Sequence, residues 1–393
     1  MYSGLRRNFL EKSIKPLMLG YFFLAILLII VSLLSVNVWP ALLGIVNFIP
    51  FFVFYLTIHL IMDSPGKLKY LAWALSISCL PIAMIGIAQI LWGWGFEMKI
   101  SQFSLWGVIQ GGNPPARMSS IFMHANTYAA YLISVFPLLL CLTIDFFEKP
   151  DLKGSKNLFK ALFLLSTIAL AILSIILTST RAAWGVLIFY LIGFAIYKSW
   201  DLITYALLAV FTFSLVSAYN RGSLGIILRK IVPYYVWARI NDSMYPQRPE
   251  GLTRLEQFKY AWKLTLERPL TGWGMQNFGD LYQAHAGVWV DEPHNLLLLL
   301  TTGVGIPATL GFLFLVGWVM VNGSRLLLDF PAEWQEDRMI YFSYLLAFIG
   351  IVLFSMTTPA LVDLRANTLS WTILAAVTGL VRVRLKRDSA ILG

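Results

Sequence analysis

Charge is scarce in this chain. Of 393 residues, 13% are Asp, Glu, Lys or Arg, about half the share of a soluble domain. A soluble exterior needs more charge than that, and disorder or a coiled coil needs more still. A compact cytosolic enzyme is excluded with them. Cysteine is rarer: Cys79 and Cys141 both sit in apolar runs, so there is no disulfide framework and no CxxC motif. Four histidines, none at HxxH or HExxH spacing, speak against a metal site. Neither GxGxxG nor GxxxxGK[ST] occurs, which leaves ATP-driven transport without support.

What is abundant is apolar and aromatic. Hydrophobic residues make up 58% of the chain and Phe, Trp and Tyr 15%, as suits an all-α polytopic protein meeting two lipid–water interfaces. A helix needs about 20 apolar residues to cross the hydrocarbon core. Ten stretches qualify: 17–36, 40–62, 70–92, 127–147, 161–180, 182–198, 202–219, 294–322, 339–357 and 366–382. The first follows a basic flank without a small-x-small cleavage site and is expected to stay as a span. Thr178-Ser179-Thr180-Arg181 divides 161–198 into a tight hairpin, and Gly303, Gly305 and Pro307 predict a break in 294–322.

The formal charge of +10 reads as topology, not as nucleic-acid binding. With the N-terminus inside, seventeen Lys and Arg fall in inside segments, among them Arg6, Arg7, Lys12, Lys67, Lys69, Lys149, Lys153, Lys198 and Arg325. The short outside segments hold four: Lys99, Arg117, Arg181 and Arg365. Both termini are then cytoplasmic. Residues 1–393 form a single transmembrane domain, with one large outside loop over 220–293 carrying nine Lys and Arg against seven Asp and Glu. Within it, Thr253 and Glu256 form a capping box, Pro269 stops the helix, and Leu255, Phe258, Trp262 and Leu266 share one face. That is the pattern of a helix lying on a membrane surface.

Ionisable groups are nearly absent from the spans, His59 excepted, and His59 suits an interhelical hydrogen bond better than a relay. Carriers place such groups near mid-membrane; here the polar chemistry collects at the outer face. Arg181 at the hairpin tip, Arg254 at the start of the surface helix and His294 in Asp291-Glu292-Pro293-His294-Asn295 stand out. Arginine binds phosphate oxygens in bidentate fashion, and a histidine beside an acid can serve as general base. Each also has a plainer role, as interfacial anchor or helix cap.

Four motifs then resemble one family. The Gly-rich turn and Arg117 before Ser119-Ser120-Ile121-Phe122-Met123-His124-Ala125-Asn126 resemble its G-x-F-x-x-x-N entry to a span. Thr180-Arg181-Ala182-Ala183-Trp184 resembles its S-R-x-x-W hairpin. Arg254 through Trp262, then Arg268-Pro269-Leu270-Thr271-Gly272-Trp273-Gly274 and Phe278, resembles its R…W…P-L-x-G-x-G loop. Pro293-His294-Asn295 with Gly303-Val304-Gly305 resembles its H-N…G-x-x-G element. Over about 110–310 the chain is similar to the O-antigen ligase and O-antigen polymerase superfamily. It departs in having ten recognisable spans where ligases usually have twelve, in Thr180, Ser120 and Ala125, and in the shortened Gly303–Gly305 spacing.

The resemblance implies a metal-independent, inverting glycosyltransferase without a cofactor, in a bacterial inner membrane of ten to twelve spans with a periplasmic site. Its ligase branch moves a glycan from undecaprenyl diphosphate to a sugar of lipid A–core. Carried over residue by residue, Arg181 and Arg254 match the arginines that hold the donor diphosphate, and His294 the base toward the acceptor hydroxyl. Arg117, Asn126, Glu292 and Asn295 take supporting roles. Polysaccharide polymerases and protein O-oligosaccharyltransferases share the motifs; a single His-containing loop favours the ligase-like branch. A transporter of the bicarbonate type is the alternative from another class. A cavity at the outer face lined by Arg181, Arg254 and His294 separates the enzyme from a two-sided pathway.

Overall fold

The computed structural model describes residues 14–100, 103–148, 155–241, 243–244 and 250–392. Arg6, Arg7, Lys12, Lys149 and Lys153, counted above for orientation, lie outside the described residues. Among the described residues nine helices are long and apolar enough to cross a membrane, and Arg181–Tyr197 is a shorter apolar one. In chain order these are α1 (Lys15–Leu33), α2 with α3 (Val38–Ile45 and Ile49–Ile61), α4 (Pro65–Leu91), α5 (Ala125–Glu148) and α6 (Ser155–Leu177). Then follow α7 (Arg181–Tyr197), α8 (Asp201–Tyr219), α9 (Ser223–Ile231), α10 (Tyr234–Ile240), α11 (Arg254–Glu267) and α12 (Phe278–Ala286). The chain ends with α13 (Leu296–Leu328), α14 (Arg338–Ser355) and α15 (Leu364–Leu392). The ten expected spans fall on these nine helices and on the shorter Arg181–Tyr197, and the fold is that of an all-α polytopic membrane protein. One small departure is a β-hairpin, β1 (Phe96–Ile100) antiparallel to β2 (Phe103–Val108), with Phe96 opposite Val108.

Helices form throughout because an apolar medium offers backbone groups no other partner. Which helices lie at the centre is another matter. Most of α5, α14 and α15 is buried in protein, whereas α8 is nearly uncovered. Residues 129–139 of α5 are buried on every side, from Ala129 and Ala130 to Leu139. In the core Trp371 of α15 meets Phe52 and Tyr55 of α3 at centroid distances of 5.5 and 5.6 Å, in the edge-on geometry aromatic pairs prefer. His59 is buried too, but its Nδ1 meets the Tyr55 carbonyl oxygen one turn back at 3.1 Å. The bond is within its own helix.

The two breaks expected in the long apolar runs are both present. α6 ends at Leu177 and α7 starts at Arg181, with Ser179 at φ +52° in the turn and Trp184 Nε1 donating to the Ile175 carbonyl across the hairpin (3.2 Å). α13 is broken at Gly305, φ +79° and ψ 169°. The backbone groups freed there are taken up by loop 268–274: Trp273 N–H donates to Thr302 O (2.7 Å), Gly274 N–H to Gly303 O (2.9 Å) and Ile306 N–H to Pro269 O (2.7 Å). Non-helical backbone survives in a span only where protein satisfies it in this way. A β-carbon on Gly305 would sit 2.5 Å from the Leu270 carbonyl oxygen. The glycines of both motifs therefore serve one backbone contact.

Candidate active site

Successive crossings run antiparallel, which brings the starts of α5, α7, α13 and α15 and the ends of α6 and α14 to one end of the bundle. The described residues of 220–293 close over that end with α9 to α12. Between them lies a cavity of about 420 Å³. Arg117, Arg181, Arg239 and Arg254 line it, with Asn126, Thr180, Asp291 and His294. Four guanidinium groups face one carboxylate, so the cavity favours anions strongly.

Each arginine is held differently. Arg117 donates from Nε to the Thr178 carbonyl (2.8 Å) and from Nη2 to Asn126 Oδ1 (2.8 Å) and Thr180 Oγ1 (3.0 Å). It ties the hairpin turn to the start of α5, and Asn126 is its acceptor. Arg181 donates from Nη1 to the carbonyls of Arg239 (3.1 Å) and Ile240 (3.3 Å), the last turn of α10. A cation suits that end of a helix. Arg239 returns the contact, Nη2 donating to the Ser179 carbonyl at 3.0 Å. Arg254 is the first residue of α11, after Thr253, whose Oγ1 accepts from Glu256 N–H at 3.5 Å. The capping box is only half made, because the Glu256 carboxylate pairs with Lys259 at 2.5 Å. Leu255, Trp262 and Leu266 are exposed along α11, while Gln257, Ala261 and Leu264 are buried.

His294 stands where the chain enters α13, in the left-handed region at φ +50°, a conformation that costs energy for a residue with a β-carbon. Its Nδ1 is 3.5 Å from Glu292 Oε1, beyond the usual N–H···O range, and makes no hydrogen bond. Glu292 is 8% exposed. Burial pushes its carboxyl above the ordinary glutamate value, and His294, with Arg254 farther off, pulls against that rise. Burial raises Asp291 as well, again against His294. Asn295 caps α13 by accepting from Leu298 N–H (3.1 Å) and donates to the Met356 carbonyl (3.0 Å). It anchors the helix and does not line the cavity.

Arg181, Arg254 and His294, singled out from the sequence, are thus brought to one cavity, with Arg117 and Asn126. Arg239 escaped sequence reading. It lies in a seven-residue helix within a loop that also holds Arg221, Arg229, Arg248 and Arg268. The aromatic run Tyr234, Tyr235 and Trp237 just before it was the one local signal that this stretch packs against something. Tyr235 indeed places its hydroxyl on that of Ser179 in the hairpin turn.

No curated protein matches the chain as a relative. Residues 164–313, which carry Arg181, Arg239, Arg254 and His294 along with the hairpin and most of the broken helix, match the family model for O-antigen ligase.

Proposed function

We propose that the protein is a glycosyltransferase at the periplasmic face of a bacterial inner membrane, transferring a glycan from undecaprenyl diphosphate to an acceptor hydroxyl, with a sugar of lipid A–core as the ligase-like acceptor. The observation that carries this reading is the convergence of four arginines and His294 on one cavity at one end of the bundle. A carrier needs a route joining both ends, and every residue lining this cavity belongs to one.

In the reaction His294 takes the proton of the acceptor hydroxyl through its Nε2, while Nδ1–H is oriented by Glu292. The acceptor oxygen attacks the anomeric carbon as the bond from that carbon to the phosphate oxygen breaks. The electron pair leaves with undecaprenyl diphosphate, and attack opposite the leaving group inverts the centre. Charge builds on the departing diphosphate, where Arg181, Arg239 and Arg254 stabilise it at fixed positions. Arg117 adds its charge while holding the turn that presents Arg181.

The test uses full-length protein in vesicles, with undecaprenyl-diphosphate-linked oligosaccharide and lipid A–core, read by mass spectrometry of the acceptor. Wild-type protein forms the glycosylated acceptor, and His294→Ala, folded and inserted, does not. Transfer at the wild-type rate by that variant overturns the assignment of the base.

A further inference from the structure

The arginine cavity has a neighbour. A second hollow of about 220 Å³ lies against it, and the two share Asn126, Asp291, His294 and Thr358 as walls. Their electrostatics are opposite. Asp291, Glu292 and Asp363 line the second hollow with His124 and His294, and among the described residues neither Lys nor Arg does.

Its polar groups are prepared for a ligand. Glu292 is 8% exposed, and its Oε2, the oxygen not facing His294, has no hydrogen-bond partner. A buried carboxylate oxygen without a donor is costly, and a ligand hydroxyl would satisfy it. Asp363 is fixed from below: Oδ1 accepts from the N–H groups of Arg365 (2.9 Å) and Ala366 (3.2 Å) at the start of α15, and Oδ2 from Thr127 Oγ1 (3.2 Å). Each oxygen retains acceptor capacity. The Arg365 side chain reaches Asp363 only at 3.8 Å, from outside the hollow. His124 Nδ1 accepts from Asn126 N–H at 3.2 Å, which places the proton of the neutral ring on Nε2. Burial, with Arg117 nearby, lowers the pKa of His124 and favours that neutral form. The hollow therefore offers carboxylate acceptors and an N–H donor around His294, a set matched by hydroxyls, which donate and accept.

We propose that this hollow is the acceptor subsite and that it takes an uncharged, hydroxyl-bearing sugar ring, held by Glu292, Asp363 and His124 with its reacting hydroxyl on His294. The inference rests on the transferase reading above and adds where the acceptor ring sits, which residues hold it and that it is uncharged. Charge sorts the two substrates. The diphosphate is drawn to the arginines and repelled by the three carboxylates, and a phosphorylated or acidic acceptor ring is repelled in the same way. His294 stands in the shared wall, within reach of both.

The experiment measures transfer kinetics with full-length protein in vesicles and the undecaprenyl-diphosphate-linked donor. Three acceptors are compared: a glucosyl-terminated glycolipid, methyl glucoside and methyl glucoside 6-phosphate. Asp363→Asn keeps the helix cap, since Asn caps as well as Asp, and His124→Asn keeps an acceptor for Asn126 N–H. In each variant the acceptor KM rises about tenfold or more, while the donor KM stays within about twofold. Wild-type protein disfavours the 6-phosphate by about tenfold in kcat/KM, and Asp363→Asn narrows that gap. Efficient use of the glycolipid but not of methyl glucoside identifies a lipid-borne ring as the natural source; equal use identifies a free glycan end.

An unchanged acceptor KM in both variants, or a donor KM that rises in step, overturns the subsite. If transfer still depends on His294, the enzyme reading stands without it. Absence of transfer by wild-type protein with every acceptor counts against the enzyme reading and takes the subsite with it.

Discussion

Arg181 and Arg239 each hold the backbone of the other's segment. The guanidinium of Arg181 donates to the Arg239 carbonyl at 3.1 Å, and that of Arg239 donates to the Ser179 carbonyl, two residues before Arg181, at 3.0 Å. This reciprocal contact pins the short helix α10 to the hairpin turn and fixes two of the four cations of the cavity. The short helix α10 could not hold Arg239 alone, because seven residues are too few for a helix to be stable in isolation.

The reciprocity makes the pair one unit. Arg239→Ala is expected to lower the transfer rate about 10²–10³-fold, the usual cost of losing one such electrostatic contact, and Arg181→Ala about as much. The double variant is expected to fall well short of the product of the two, since each single change already releases the shared contact. Initial rates for the four proteins of this cycle check it, and full additivity would mean the two arginines act separately.

Glu292 is expected to trade stability for activity. Burial raises its folded-state pKa above the unfolded value, so the folded protein binds this proton more tightly. The stabilising contribution is therefore present below the ordinary glutamate range and is lost as pH rises through the raised value. At neutral pH Glu292→Gln is expected to melt no lower than wild type, and the difference between the two should close on acidification. The transfer rate moves the other way, falling at least about 10²-fold at neutral pH as His294 loses its orienting carboxylate. Thermal unfolding in detergent near pH 7.5 and pH 4.5, with initial rates at the higher pH, tests both halves.

Gly305 carries a prediction about the scaffold. Its φ of +79° and the Leu270 carbonyl 2.5 Å from any β-carbon leave no room for alanine. Gly305→Ala is expected to destabilise the protein by about 1–3 kcal/mol and to displace loop 268–274. That loop leaves α11, which packs on α13 through Thr265 Oγ1 and Thr301 Oγ1 at 3.0 Å. Arg254 at one end of α11 would then shift relative to His294 at the start of α13. Transfer should drop more than in an Ile351→Val variant of matched stability, measured by unfolding midpoint and rate on the same preparations.

The crossings and the hairpin were legible from residue order because they are local properties. A span must satisfy its own backbone in lipid, so an apolar run of sufficient length declares itself, and Thr178 to Arg181 was a marked polar break in a run too long for one crossing. The break at Gly305 was legible for the same reason. The helix at 254–267 could be read from its capping residue and the proline that ends it. The β-hairpin at 96–108 was not, being short and set in a loop whose strands have only each other to pair with.

The amino-acid sequence by itself determined that this protein is a bundle of membrane helices, where the chain turns, and that Arg181, Arg254 and His294 stand at the starts of helices expected on one side. Only the tertiary structure decided that they share one cavity, that Arg239 joins them, and that a second hollow lined by carboxylates adjoins it at His294. In a membrane every span is apolar all round, so hydropathy does not say which helices are central. Nor does an arginine in a long loop carry a local mark of its destination. Both are settled by contacts between segments far apart in sequence.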